Sequence, residues 1–298
     1  MSTAARVAAQ AKINLRLRVL EREADGYHQI ETVFLRLALA DQIEIRITEG
    51  ARTLEVTGAN TGPTEKNLAM RAAVAYADAT GWPSGFSIKV EKHIPIGAGL
   101  GGGSADAGAV LRALNALAPR RVPDVKLYAL AVSLGADVPF LTTEKPCVYA
   151  RGRGEQLSFL SALPPRHVVL VQPGFAVATA DAYGWIDAAR RAATRDHSAA
   201  ILGRTDLPRL ESWDTIAPFA ENDFESVIFE RHPQMSVIVA ALRRAGASIA
   251  RMTGSGSTIY GIFESGRDVE RLASARLPGT LILTSTAEQV APVERIHA

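Results

Sequence analysis

Residues 95–105 read PIGAGLGGGSA, with five glycines and no charged residue. Glycine this dense inside a folded chain is conformationally costly, since each one surrenders more backbone freedom than any other residue. The stretch follows FSIKVEKHI (86–94), which alternates like a strand, and precedes SADAGAVLRALNAL (104–117), which has helical spacing. Ser104 falls near the first helical turn, where a hydroxyl can take up a free backbone N–H. Three readings fit. A flexible turn is one, although linkers are usually polar. A dinucleotide turn is the second, since Gly97, Gly99 and Gly102 match G-x-G-x-x-G, but the acidic candidate, Asp124, starts a helix instead of ending a strand. The third is a phosphate cradle, with loop amides and a helix N-terminus converging on an anion. No Walker A lysine motif occurs, so a triphosphate held here needs a magnesium ion and a lysine from another segment.

Working outward, the N-terminal side reads as strands at 13–20, 32–39, 41–48 and 53–58, then an Ala-rich helix at 67–80 stopped by Gly81 and Pro83. Beyond the loop come a helix at 123–135 and a connector, ADVPFLT (136–142), that holds Asp137 in apolar company. LPPR (163–166) marks a soft boundary. Past it lie a strand at 167–173, a helix at 180–193, a polar irregular stretch at 194–220 and two helices within 222–246 broken at His232-Pro233. Strand, glycine turn and strand follow over 247–265, and a last strand at 279–286. The fold class is α+β in two halves, 1–160 and 161–298.

The chain has 298 residues, 47% of them hydrophobic, a net charge of +2 and a single cysteine, Cys147. Such a chain supports a sizeable core and carries no field that would draw in nucleic acid or an anionic membrane. One cysteine excludes an internal disulfide and Cys-based zinc sites. With no signal-like N-terminus and no long apolar run, the expectation is a cytoplasmic protein acting on a small molecule, without nucleic acid or membrane, as a monomer or homodimer. The six histidines show no metal-ligand spacing, and no residue is assigned as a metal ligand.

The loop resembles the P-x-G-x-G-L-G-S-S-A loop of the GHMP kinase superfamily, with Ala105 in place of the second serine. AKINLRLRV (11–19), ADGYHQIETVF (24–34), GLGGGSADA (99–107) and GADVPF (135–140) occur in the order of one branch of it, and NDFE (222–225) and TGSGS (253–257) also fit. The resemblance implies a two-domain GHMP kinase fold, with a ribosomal-protein-S5-like N-terminal domain and a ferredoxin-like C-terminal domain. It also implies ATP as phosphoryl donor, Mg2+ with protein ligands unassigned, and a cytidine-diphosphate-linked methylerythritol as acceptor.

Asp137 is then the expected catalytic base and Lys12 its partner. The other roles open to them are a helix cap and an edge-strand lysine. Pro95, Gly97, Gly99, Leu100, Gly101, Gly102, Gly103 and Ser104 are expected around ATP, with Asn67 and Lys92 near the adenine. Asn67 also reads as an N-cap for the helix at 67–80. Asn14 shares a strand face with Lys12. Tyr27 and His28 are expected to stack and hydrogen-bond the cytosine, with Tyr183 on its other face and Thr179 nearby. A nucleotide-free acceptor, as in homoserine or mevalonate kinases, has no use for such an aromatic clamp. A nucleotide-binding regulator without catalysis is opposed by Lys12 and Asp137, and an RNA-binding module by the near-neutral charge.

Overall fold

The computed structural model describes residues 3–192, 212–273 and 277–296. Most of the polar stretch at 194–220 therefore lies outside the described residues. The chain begins with two long antiparallel strands, β1 (Ala4–Arg22) and β2 (His28–Thr48), then β3 (Arg52–Thr57), α1 (Leu68–Thr80) and β4 (Gly85–Glu91). After the glycine loop come α2 (Gly102–Leu117), α3 (Asp124–Leu134), the one-turn α4 (Val138–Thr142) and a hairpin of β5 (Cys147–Arg151) and β6 (Gln156–Phe159). The second half holds β7 (His167–Gln172), α5 (Thr179–Ala192), α6 (Trp213–Ile216), β8 (Glu221–Asn222), α7 (Phe224–Arg231) and α8 (Gln234–Arg244). It closes with β9 (Ile249–Met252), β10 (Ile259–Phe263), α9 (Gly266–Ala273), β11 (Thr280–Ser285) and β12 (Glu294–Ile296).

The first sheet runs β12-β1-β2-β4-β3, with β5 and β6 added at β2 and β8 at β1. Its β3 and β4 are parallel and joined through α1. The second sheet runs β11-β7-β10-β9. Numbering its strands along the chain gives the order 4-1-3-2, with helices between the first and second strands and between the third and fourth. That is the ferredoxin-like arrangement. β7 alternates its buried residues between two layers. Val168 and Leu170 join the large core around β1, β2, α1 and α2, while Val169 and Val171 join a second core under α5, α7 and α8. A strand buried on both faces reads as a continuous apolar run, which is what VVLV is.

Two expectations are corrected. The strands expected at 32–39 and 41–48 are one strand, because the break in alternation is a register shift opposite Gln10 and Lys12, not a turn. No Gly, Pro or Asn stands between Leu37 and Asp41 to reverse the chain. The helix expected from Ser104 starts two residues earlier, with Gly101 at the N-cap in the left-handed region (φ 71°) and no side chain capping it.

α1 is capped as expected: Asn67 Oδ1 accepts the N–H of Ala69 at 2.9 Å, and left-handed Gly81 ends the helix. The β5–β6 hairpin, α4, α6, α9 and the short β8 and β12 fall where the sequence predicts no regular element. Among the described residues no helix is long and apolar enough to cross a membrane.

Candidate active site

The uncapped start of α2 leaves first-turn amides without an intrahelical acceptor, and the helix dipole adds positive potential at the same point. Ser104 lies inside that first turn and lines the adjoining cavity, which measures about 1050 Å³. The loop feeding the helix is held by the protein itself. The N–H of Lys12 in β1 donates to the Leu100 carbonyl at 2.9 Å. A Cβ at Gly101 would stand 3.0 Å from Cγ and Cε of Lys12, and a Cβ at Gly99 would run into the carbonyl oxygen of Thr253. At these two positions, therefore, side chains are excluded by the lysine stem and by the turn between β9 and β10.

Lys12 is 4% exposed. Its ammonium donates to Asn14 Oδ1 at 2.8 Å and stands 3.4 Å from Asp137 Oδ2. It also lies 5.4 Å from the centre of the Phe34 ring. Asp137 occupies the position before α4, but its carboxylate makes no capping bond and faces Lys12 instead. At the other end of α4, the buried Arg36 guanidinium donates to the carbonyls of Phe140 (3.0 Å) and Thr143 (2.9 Å) and stacks on Phe140. The Phe140 carbonyl also accepts the N–H and the hydroxyl of Thr143, so Arg36 adds a charged donor to a closed helix end and braces the turn that carries Asp137.

Asn14 ties three segments together. Its amide donates to Thr32 Oγ1 at 2.7 Å, and its Oδ1 also accepts the N–H of Gly254 at 3.1 Å. Thr253 and Gly254 belong to TGSGS, which NDFE braces from behind. Asn222 donates to the carbonyls of Met252 and Gly254, and Glu225 accepts the N–H of Met252 at 2.7 Å. Gly254 and Ser255 line the cavity beside the first glycine loop.

Across the cavity, α5 presents Thr179, Tyr183 and Asp187 at four-residue intervals, hence on one face. His28 Nε2 pairs with Asp187 Oδ1 at 2.7 Å, and its ring stacks on Tyr183 with centroids 4.8 Å apart. Burial, with the charge of Asp137 adding to it, pushes the Tyr183 hydroxyl up to about 12, so it stays protonated. Tyr27 is 60% exposed at the rim, its ring under the Arg153 guanidinium at 4.1 Å. Arg153 is fixed by Glu23 and Asp25. Thr179 Oγ1 lies 3.0 Å from Ser255 Oγ.

Lys12, Asn14, Tyr27, His28, Gly99, Gly101, Ser104, Asp137, Thr179 and Tyr183 thus line one cavity. The remaining expected residues are not among those lining it: Leu100 is core, Asn67 caps α1, Pro95 and Gly97 lie in the loop that leads to α2, and Gly102 and Gly103 open that helix. Lys92 is buried between Asp41 and Asp106. Tyr183 stacks on His28 here, so the expected sandwich of Tyr27 and Tyr183 is not preformed. Asp187, Arg153 and Arg36 were missed. Of these, only Asp187 had a readable signal, its spacing from Tyr183. Among the described residues no cluster of three or more His, Cys, Asp or Glu could hold a metal ion.

Comparison with known proteins agrees with this geometry. Residues 67–145 match the GHMP kinases N terminal domain and residues 204–277 the GHMP kinases C terminal domain. The chain is 42% identical over 271 residues to a 4-diphosphocytidyl-2-C-methyl-D-erythritol kinase of Solibacter usitatus, covering 87% of this chain and 81% of that one. It is 41% identical to the protein of the same name from Chlorobaculum parvum, covering 87% and 89%. A crystal structure of 4-(cytidine 5'-diphospho)-2C-methyl-D-erythritol kinase superposes with a TM-score of 0.74 at 35% identity, over 95% of this chain and 99% of that one. A homoserine kinase from Cytophaga hutchinsonii shares the fold, with a TM-score of 0.71 at 17% identity over 98% of each chain. On the relatives' identity and coverage, as on both family models, the chain belongs to the GHMP kinases.

Proposed function

We propose that the protein transfers the γ-phosphoryl group of ATP to the 2-hydroxyl of 4-diphosphocytidyl-2-C-methyl-D-erythritol, a step of the non-mevalonate isoprenoid precursor pathway, releasing ADP. The observation that carries this reading is the shared cavity, where the Lys12–Asp137 pair lies between a glycine loop and an aromatic pocket. We also take the division into domains at 160/161 as a proposal, with the cavity between the two halves.

The donor set suits a triphosphate: Lys12 and the hydroxyl of Ser104 line the cavity together with Gly101, the uncapped N-cap of α2, where the helix dipole favours an anion. Magnesium, when bound, would offset phosphate charge, with the Ser104 hydroxyl and the Asp137 carboxylate as the available protein oxygens. Asp137 accepts the hydroxyl proton as the acceptor oxygen bonds to the γ-phosphorus and the bond to the bridging oxygen of ADP breaks. Lys12, 3.4 Å away, orients the Asp137 carboxylate and offsets charge on the transferring phosphoryl oxygens. A His28 that donates Nε2–H to Asp187 keeps Nδ1 as an acceptor, which suits the exocyclic amino group of cytosine. Tyr27 and Tyr183 supply ring faces for the base.

The test is ADP release from the purified protein with ATP, magnesium and a panel of acceptors. Turnover with the cytidine-diphosphate-linked methylerythritol, and none with homoserine or mevalonate, is expected. No ADP with that acceptor, or equal turnover with a nucleotide-free one, overturns the reading.

A further inference from the structure

One buried charge cluster outside the cavity has no part in the reaction above. Lys92 follows the end of β4, and its ammonium donates to carboxylates of Asp41 in β2 and, at 2.6 Å, of Asp106 in α2. All three side chains are almost completely buried. The second oxygen of Asp41 accepts the backbone N–H of His93 at 2.6 Å and of Ile94 at 2.7 Å. A Cβ at Gly102 would lie 3.5 Å from the Lys92 ammonium, which places that charge against the first turn of α2. The glycine loop is thus joined at both ends. Asp41 pins the residues that lead into it, and Lys92 connects that entry to the helix that leads out.

We propose that Asp41, Lys92 and Asp106 form a clamp that closes the ends of the glycine loop on each other and holds its amides in register for a polyphosphate. Asp41 and Asp106 are then positioning residues for the nucleotide, with no part in holding the acceptor, and Lys92 acts through the loop instead of touching ATP. The inference rests on reading the cavity as a kinase site.

Charge balance supports the assignment. Two carboxylates share one ammonium, and Asp106 Oδ1 has no partner among the described residues. Burial, with Asp41 nearby, raises Asp106 to about 7 against the pull of Lys92. Apolar side chains can join a helix to a sheet without that desolvation, so an ionic cluster here points to geometric definition over raw stability. The requirement for definition is local: amides that must meet phosphate oxygens lose much of their effect when displaced by about 1 Å.

The experiment compares Michaelis constants of the wild type, Asp106→Asn and Asp41→Asn for ATP and for the acceptor, with folding checked by near-UV circular dichroism. The clamp predicts that the ATP constant rises about tenfold or more while the acceptor constant stays within about twofold. Folded variants with an unchanged ATP constant, or with both constants rising together, overturn it. Should Asp41→Asn fail to fold, Asp106→Asn decides, since it keeps the size and an acceptor oxygen for Lys92. A wild type inactive on the acceptor would defeat the kinase reading instead. ATP affinity by titration calorimetry would then still test the clamp, with weakened binding in the variants expected and unchanged binding contradicting it.

Discussion

Gly99 and Thr253 meet backbone to backbone, with the Thr253 carbonyl filling the space that any side chain at residue 99 would need. The Thr253 hydroxyl also reaches the Gly99 carbonyl at 3.3 Å. Two glycine turns, one from each half of the chain, therefore lie side by side along the cavity. Gly99→Ala has to displace one of them, and it also places an L-residue at a φ of +78°. A loss of about 3 kcal/mol is expected from strain and overpacking together. Gly97 has a similar φ of +67° but open space around it, so Gly97→Ala should cost only about 1 kcal/mol. Denaturant unfolding of the two variants checks the difference, and equal losses would contradict the contact.

The His28–Asp187 pair predicts a selective defect on the acceptor side. Asp187→Asn frees the imidazole tautomer that the carboxylate holds and should raise the acceptor Michaelis constant about tenfold. The ATP constant should barely move. Steady-state kinetics with each substrate varied in turn provides the check.

Asp106 predicts a stability change with pH. Its folded-state value is raised from 3.8 to about 7 by burial, so the folded chain holds a proton there that the unfolded chain has released. A group raised in this way contributes stability at low pH that is lost as pH climbs toward 7. Asp106→Asn lacks that loss. Its melting temperature relative to the wild type should therefore rise between pH 4 and about pH 7. Parallel melting curves across that window would remove the basis for the shift.

Local signals made much of this molecule readable. Asn67 and Gly81 bracket α1, and the His232-Pro233 break separates α7 from α8 as the sequence implies. Residues 4–12 of β1 escaped because five alanines leave AARVAAQAK with no clear apolar–polar alternation, although Arg6 and Ala8 face outward in the strand. β8 and β12 are too short to leave a pattern, and both exist only by pairing with β1. In the site, Lys12 and Asp137 carried a motif, but nothing local tells Lys92 that its partners are Asp41 and Asp106. The same holds for Arg36, whose partners are carbonyls with no side-chain signature. The glycines were expected to leave room for phosphate. At Gly99 and Gly101 they leave room first for Thr253 and Lys12, so the loop is shaped by the protein before any ligand arrives.

The central claim is that the carboxylate facing Lys12 takes the acceptor proton. The most direct measurement is kcat of Asp137→Asn with ATP and the cytidine-diphosphate-linked methylerythritol both saturating. The amide keeps the shape but accepts a proton poorly, so kcat should fall by about a thousandfold with the acceptor Michaelis constant nearly unchanged. A folded Asp137→Asn protein that turns over within about threefold of the wild type would contradict the account.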